Sequence, residues 1–286
     1  MSEQGQGNLA DIMAIGPDQL GKGSSIRVET AGSRDDVAWH FAWTMARMIR
    51  KHNADGRRTV FILPVGPTGQ FSRLAAICNA EDMSCRDLVI VNMDDYCLAD
   101  GRRVPPEHPY SFRGFMERGF YALLDEGKRV RPEHRHVPDP AAPEKTGELI
   151  ERVGGVDVCF GGIGINGHVA FNAPPEPGVD MTDDEFRELP TRVLAVSREK
   201  RVVNSIFCGG DLDAVPPKCV TVGMKEILAS RRLHFYLDWP WQQAVIRRTV
   251  HGPVTRRFPA SFLQTHPDCT ITMADYVAEA PGAVVA

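Results

Sequence analysis

A doubly wound α/β fold, with a mainly parallel sheet and helices on both faces in a modified Rossmann-like arrangement, is predicted by three features of the sequence. Six short runs are apolar on both faces: 58–65, 87–93, 156–162, 219–224, 233–238 and 269–274. Such runs suit strands of a parallel sheet, which helices bury on either side. Patterns of helical period lie between several of them, at 70–80, 109–124 and 239–250, and this alternation builds crossover units. Three strand exits carry unusual sequence: GPTGQ (66–70), DDYCL (94–98) and GIGINGH (162–168). Ligands of open α/β sheets sit beyond the carboxyl ends of the strands, so the three exits are expected to meet in one crevice.

Taken in order, residues 1–22 are Gly- and Gln-bearing and weakly periodic, which predicts a flexible N-terminal arm. Ser33 and Asp36 form a capping box ahead of a helical pattern that Gly56 stops. The domain is expected to span 23–280, with 174–203 as a lid over the crevice and 281–286 as a tail. At 286 residues, 43% hydrophobic and 24% charged, the chain has the make-up of a globular protein. A net charge of −4 leaves no basic footprint for nucleic acid or an anionic membrane surface, so a small-molecule partner is expected. No 18-residue apolar run and no signal-peptide order are present, which predicts a cytoplasmic protein that does not enter a membrane. The seven cysteines are odd in number and include no CxxC, so they are expected to be reduced packing residues.

The exits carry the chemistry. Gly162, Gly164 and Gly167 match the G-x-G-x-x-G of dinucleotide loops. That fingerprint needs a helix after the third glycine, and Pro174, Pro175 and Pro177 rule out a long one. The glycines are read instead as permitting close backbone approach to a ligand and as presenting Asn166 and His168. Gly66, Pro67, Thr68 and Gly69 open a helix, where backbone N–H groups and a hydroxyl can hold a phosphate or carboxylate. Asp94 and Asp95 follow an apolar strand, and neighbours on extended backbone point opposite ways, so only one can face the crevice as a general base. His134 and His136 form an HxH without a third ligand of fixed spacing, which argues for no metal.

Together, the PTG loop, NMDDY, EHPYSF, GGIGINGHVAFN, VPPKCVTVGM and PASFLQTHP, in this order over about residues 35–275, resemble the glucosamine-6-phosphate deaminase/isomerase family. The wider group includes 6-phosphogluconolactonases and ribose-5-phosphate isomerases. The resemblance implies cofactor-free aldose–ketose isomerisation, with or without deamination, of an anionic sugar such as glucosamine 6-phosphate, and a homo-oligomer is expected. It implies that Gly66, Pro67, Thr68 and Gly69 hold the phosphate, that Asp94 moves a proton between C1 and C2, and that His168, with Asn166, helps open the sugar ring. Asp95, Gly164, Gly167 and Asn172 are further substrate-binding candidates. The chain departs from the pattern at Ala173, where an acidic residue usually supports the histidine; Glu176 is the candidate substitute. Ile206 and Gln242 stand where some deaminases place an arginine and a lysine for the phosphate, leaving Lys218, Arg201 and Arg247 as candidate replacements. Hydrolysis of a sugar lactone and a catalytically impaired sugar-binding regulator are the alternatives.

Overall fold

The computed structural model describes residues 9–282. In chain order the strands are β1 (Arg27–Thr30), β2 (Thr59–Leu63), β3 (Leu88–Asn92), β4 (Asp94–Cys97), β5 (Arg135–His136), β6 (Val158–Gly161), β7 (Arg192–Ala195), β8 (Lys218–Thr221), β9 (Leu233–Leu237) and β10 (Cys269–Met273). The helices are α1 (Leu9–Met13), α2 (Arg34–Ala54), α3 (Gln70–Ala80), α4 (Phe112–Gly119), α5 (Lys145–Arg152), α6 (Asp183–Arg187), α7 (Arg198–Ser205), α8 (Met224–Leu228), α9 (Gln242–His251) and α10 (Asp275–Ala278). None is long and apolar enough to cross a membrane.

Seven strands form one parallel sheet in the order β1-β10-β9-β6-β2-β3-β5. From β2 the chain builds outward to β3 and β5, then returns to place β6 on the other side of β2 and continues outward through β9 and β10. The order therefore reverses between β2 and β6. That reversal splays the two exits apart and opens a crevice at their carboxyl ends.

The apolar runs owe their two-faced character to burial: every residue of β2, β3, β9 and β10 is inside. Ser33 caps α2 with Asp36 in a reciprocal capping box, as the sequence predicts. This helix lays Phe41 flat against Tyr236 of β9, with ring centroids 4.1 Å apart. The pattern at 109–124 divides into α4 and a short 3-10 turn at Tyr121–Leu123.

The run 219–224 does not join the parallel sheet. Its strand, β8, is the middle of a separate antiparallel sheet, β4-β8-β7. Cys219, Val220 and Thr221 are fully buried there, so the apolar run reports burial on both faces and not strand direction. A second small core of Tyr96, Val104, Phe171, Val196, Val215 and Cys219 covers one side of this sheet. The segment 174–203, expected to be a lid, contributes β7 and most of α7 to the same body. Residues 9–22 of the expected flexible arm pack against the body: Ile12 and Leu20 are buried, and the carbonyl of Ile15 accepts from Arg247 Nε at 2.8 Å. Residues 1–8 of that arm and 283–286 of the tail lie outside the described residues.

Phe41 joins α2 to the sheet with no exposed surface. Phe41→Ala is expected to lower stability by about 3–5 kcal/mol, the usual cost of emptying a buried phenyl site. Denaturant unfolding would show a lower midpoint with an unchanged slope.

Candidate active site at the sheet crossover

Strand β6 exits at Gly161 into the loop 162–168, and the loop's glycines serve the protein's own rings. A Cβ on Gly164 would lie 1.8 Å from His168 Cε1, and one on Gly167, where φ is +79°, would lie 2.6 Å from Phe258. Only glycine admits both contacts. Gly164 and Gly167 thus clear space for His168 and Phe258. At its start the loop meets the exit of β2, where a Cβ on Gly162 would stand 3.9 Å from the Gly66 carbonyl.

His168 is buried and both ring nitrogens are engaged. Its Nδ1 lies 2.7 Å from Asn166 Oδ1, which also accepts from the His168 backbone N–H at 3.2 Å. An oxygen acceptor at Nδ1 selects the tautomer with the proton there and leaves Nε2 as acceptor. Lys200 Nζ donates to Nε2 across 3.2 Å. Burial first, and the Lys200 charge second, push the imidazole well below the usual histidine value. At neutral pH His168 is therefore an uncharged ring.

Asp94 and Asp95 open β4 and, as strand alternation requires, do different work. Asp95 is fully buried and accepts backbone N–H bonds from Tyr96 (2.9 Å), Phe112 (2.8 Å) and Arg113 (3.2 Å). Its oxygens are consumed in fastening the start of α4, which argues against the substrate-binding role expected of it. Asp94 is also buried, and its chief electrostatic neighbour is Lys200. Burial pushes the Asp94 carboxyl up to about 7, against the opposing pull of the Lys200 ammonium. A carboxylate with its proton affinity near neutrality is suited to taking and returning a proton.

Lys200 was not singled out in the sequence. Ser197 Oγ caps α7 by accepting from the Lys200 backbone N–H, and one helical turn later Asn204 donates from its side chain to Tyr96 Oη. Tyr110 Oη donates to the Asn204 carbonyl at 2.9 Å. These contacts press one face of α7 onto the small sheet and lay Lys200 Nζ 4.6 Å above the Phe171 ring. Burial pulls the ammonium below the usual lysine value, and Asp94 resists that pull. The i, i+4 spacing of Lys200 and Asn204 was the available signal, but a polar helical face ordinarily reads as solvated.

The remaining candidates divide. Thr68 is exposed, and Gly69 caps α3 with φ +102°, its carbonyl accepting from Arg73 Nη1 at 2.9 Å. Asn172 is buried with its amide already used: it donates to the carbonyls of Val169 and Val222 and accepts from Arg192. Glu176 is exposed and takes neither His168 nitrogen. Lys218 pairs opposite Cys97, on the face of the small sheet away from Asp94, which pairs opposite Thr221. Arg201 binds the Leu212 carbonyl and Arg247 the carbonyls of Ile15, Gln243 and Ala278, so neither supplies a free charge. Gln242 accepts from the backbone N–H groups of Asp238 and Trp239 and donates to the Ile163 carbonyl. Ile206 is 69% exposed. His134 Nδ1 is occupied by the Arg86 carbonyl at 2.9 Å.

Solved structures identify the class of fold. A monomeric glucosamine-6-phosphate deaminase matches with a TM-score of 0.76 at 24% identity, over 88% of this chain and 99% of that one. The 6-phosphogluconolactonase of Trypanosoma brucei matches with a TM-score of 0.62 at 13% identity, over 89% and 98%. The fold is thus the α/β architecture that deaminases and lactonases of phosphorylated sugars share. No protein-family model matches the chain. Its sequence is 31% identical over 211 residues to the glucosamine-6-phosphate deaminase of Halothermothrix orenii, covering 72% of this chain and 80% of that protein. It is also 31% identical over 219 residues to glucosamine-6-phosphate deaminase 2 of Bacillus subtilis, covering 74% and 80%. The chain belongs to the glucosamine-6-phosphate deaminase family and is an enzyme of that family. The expected homo-oligomer draws no support from the monomeric structural neighbour.

Gly164→Ala tests the seat of the histidine. With a Cβ 1.8 Å from the ring, His168 must leave its place between Asn166 and Lys200. The variant is expected to fold and to lose activity by about two powers of ten, the scale of a displaced proton-transfer group. Retention of full activity would show that this seating does not matter.

Proposed function

We propose that the protein is a cofactor-free aldose–ketose isomerase of an anionic sugar, with glucosamine 6-phosphate and its close relatives as the substrates to test. The observation that carries this reading is the contact of Lys200 with His168 Nε2 together with a buried Asp94 whose strongest charged neighbour is the same Lys200. Asp94, ionised, takes the C2 proton of the open-chain sugar and returns it to C1. Lys200 donates a hydrogen bond to the carbonyl oxygen, where negative charge gathers in the enediol. In ring opening the Lys200 ammonium gives a proton to the ring oxygen while His168 Nε2, the unprotonated nitrogen, takes the proton of the C1 hydroxyl; the imidazolium then hands that proton back to the Lys200 amine with which it is in contact. His168 is the intermediary in this scheme and not the charged acid.

The anionic end of the substrate is assigned to the entrance of α3. The helix is 11 residues long and opens at Gly69 beside Thr68, so its N-terminus can receive a phosphate through backbone N–H groups. Ile206 and Gln242 add no charge there. Lys200 places its cation at the reacting end, beside the carbon whose substituent in an amino sugar is itself cationic. A hydroxyl or acylated amine at C2 therefore fits the crevice better than a free ammonium.

The fate of a deuterium label at C2 is the decisive measurement. Isomerisation carries the label to C1 or exchanges it with solvent, whereas lactone hydrolysis or binding without turnover leaves it at C2. Release of ammonia from an amino-sugar phosphate, measured beside isomerisation of its hydroxyl counterpart, tests the preference at C2.

Two substitutions test the roles. Asp94→Asn is expected to lower kcat by at least about a hundredfold, the usual weight of a general base, while Asp95→Asn acts mainly on stability. The reverse pattern would exchange the roles. Activity should rise with pH as Asp94 ionises, with a midpoint near its value of about 7. Because the Lys200 charge lowers that value, Lys200→Met is expected to move the rise to higher pH. An unmoved profile would separate Lys200 from Asp94.

A further inference from the structure

On the Asp95 side of β4, between the β3–β5 edge of the sheet and α4, lies a cavity of about 290 Å³ that no step above uses. Its lining includes Asn92, Arg103, Arg113, Glu117, Tyr121 and Arg135. Asn92 is the last residue of β3 and is only 2% exposed, yet neither its side-chain nitrogen nor its oxygen has a hydrogen-bond partner. Tyr121 is 3% exposed and its hydroxyl is likewise without a partner. The buried Arg103 Nε has none either. A buried polar group without a partner is costly, and several facing one space call for a common occupant.

The charges around the cavity indicate its sign. Three arginines face it against one glutamate. Arg135 is held by Glu117 at 3.1 Å and lies over the Tyr121 ring at 4.4 Å. Arg103 reaches toward Asp95, 4.0 Å away, and gives its Nη2 to the carbonyls of Val137 and Pro138. The Arg113 guanidinium has no carboxylate or carbonyl partner among the described residues. Positive charge is thus in excess, with donors available from an amide, a phenol and guanidinium groups. The volume stands near the lower edge of small-molecule sites, which begin at about 300 Å³.

We propose that this cavity is a second binding site, distinct from the crevice, for a compact oxyanion of the phosphate type, either the free ion or the phosphate group of a small ester. Arg113 and Arg103 supply the charge, while Tyr121 and the Asn92 amide nitrogen donate hydrogen bonds. The site stands independently of the reaction assigned to Asp94. It shares two of its residues with Asp95, which accepts from the Arg113 backbone and faces the Arg103 guanidinium.

Calorimetric titration of the full chain with inorganic phosphate, and separately with a hexose phosphate, tests the proposal. Arg113 is exposed, and Tyr121→Phe keeps the ring beneath Arg135, so both variants should fold; circular dichroism checks this. Arg113→Gln is expected to weaken phosphate binding at this site by about tenfold or more, the weight of a charge-assisted contact. Tyr121→Phe is expected to weaken it by about fivefold, as for one lost hydrogen bond. Sensitivity of phosphate alone to both substitutions identifies the free ion as occupant, and equal sensitivity of the hexose phosphate identifies the ester. Absence of phosphate binding, or binding indifferent to both substitutions, overturns the proposal.

Discussion

The carboxylate of Asp95 organises the parts of the molecule that matter for function. A fully buried carboxyl must be compensated, and this one is compensated by three backbone N–H groups and the approach of Arg103. Those bonds fasten the first turn of α4 to β4, across the 15 residues between Tyr96 and Phe112. They also fix the strand's alternation. With Asp95 turned to the backbone, Asp94 is left on the opposite face, where its neighbour is a lysine and no backbone group claims its oxygens. Burial raises both carboxyls above the usual carboxylate range; at Asp95 three backbone N–H bonds and Arg103 oppose that rise, whereas at Asp94 only Lys200 does, and its carboxyl is brought up to about 7.

Lys200 inverts the electrostatics that the resemblance led one to expect around the histidine. A carboxylate beside His168 would favour the imidazolium; an ammonium disfavours it, and burial adds to the effect. The positive charge of the site consequently resides on Lys200, balanced by Asp94. The same segment changes character at its far end. Phe207 is 67% exposed and meets Trp239 edge to face at 6.1 Å, next to the exposed Ile206. Gln242 is buried and uncharged, and the cation recorded beside His168 is Lys200.

Helices that cover the sheet were readable because their determinants are local. The Ser33–Asp36 box and the Gly69 start of α3 involve residues within one turn of each other. The long apolar runs were equally readable, since a strand buried on both faces has no polar alternation to confuse it. The short strands were not: β1, β4, β5 and β7 are two to four residues long and carry charged or polar positions. They become strands because an already formed edge offers hydrogen bonds. The run that begins in β8 was found but assigned to the wrong sheet, because burial on both faces looks alike in parallel and antiparallel company.

The sequence by itself determined that the exits of β2, β3 and β6 converge, since strand exits of an open α/β sheet share one edge and these three carried residues with no ordinary turn function. It also determined that Asp94 and Asp95 would part company, because extended backbone leaves no other choice. Tertiary structure decided which residues then meet. Lys200 is 32 residues beyond His168 and reaches it only because Asn204 and Tyr110 press α7 against the small sheet. Asn172, Lys218 and Arg247 had suitable chemistry and were spent on carbonyls or turned to another face. The cavity beneath Asn92 joins residues from β3, the segment after β4, α4 and β5. Hydrogen-bond satisfaction and charge compensation are settled by contacts between distant segments, and no local pattern encodes them.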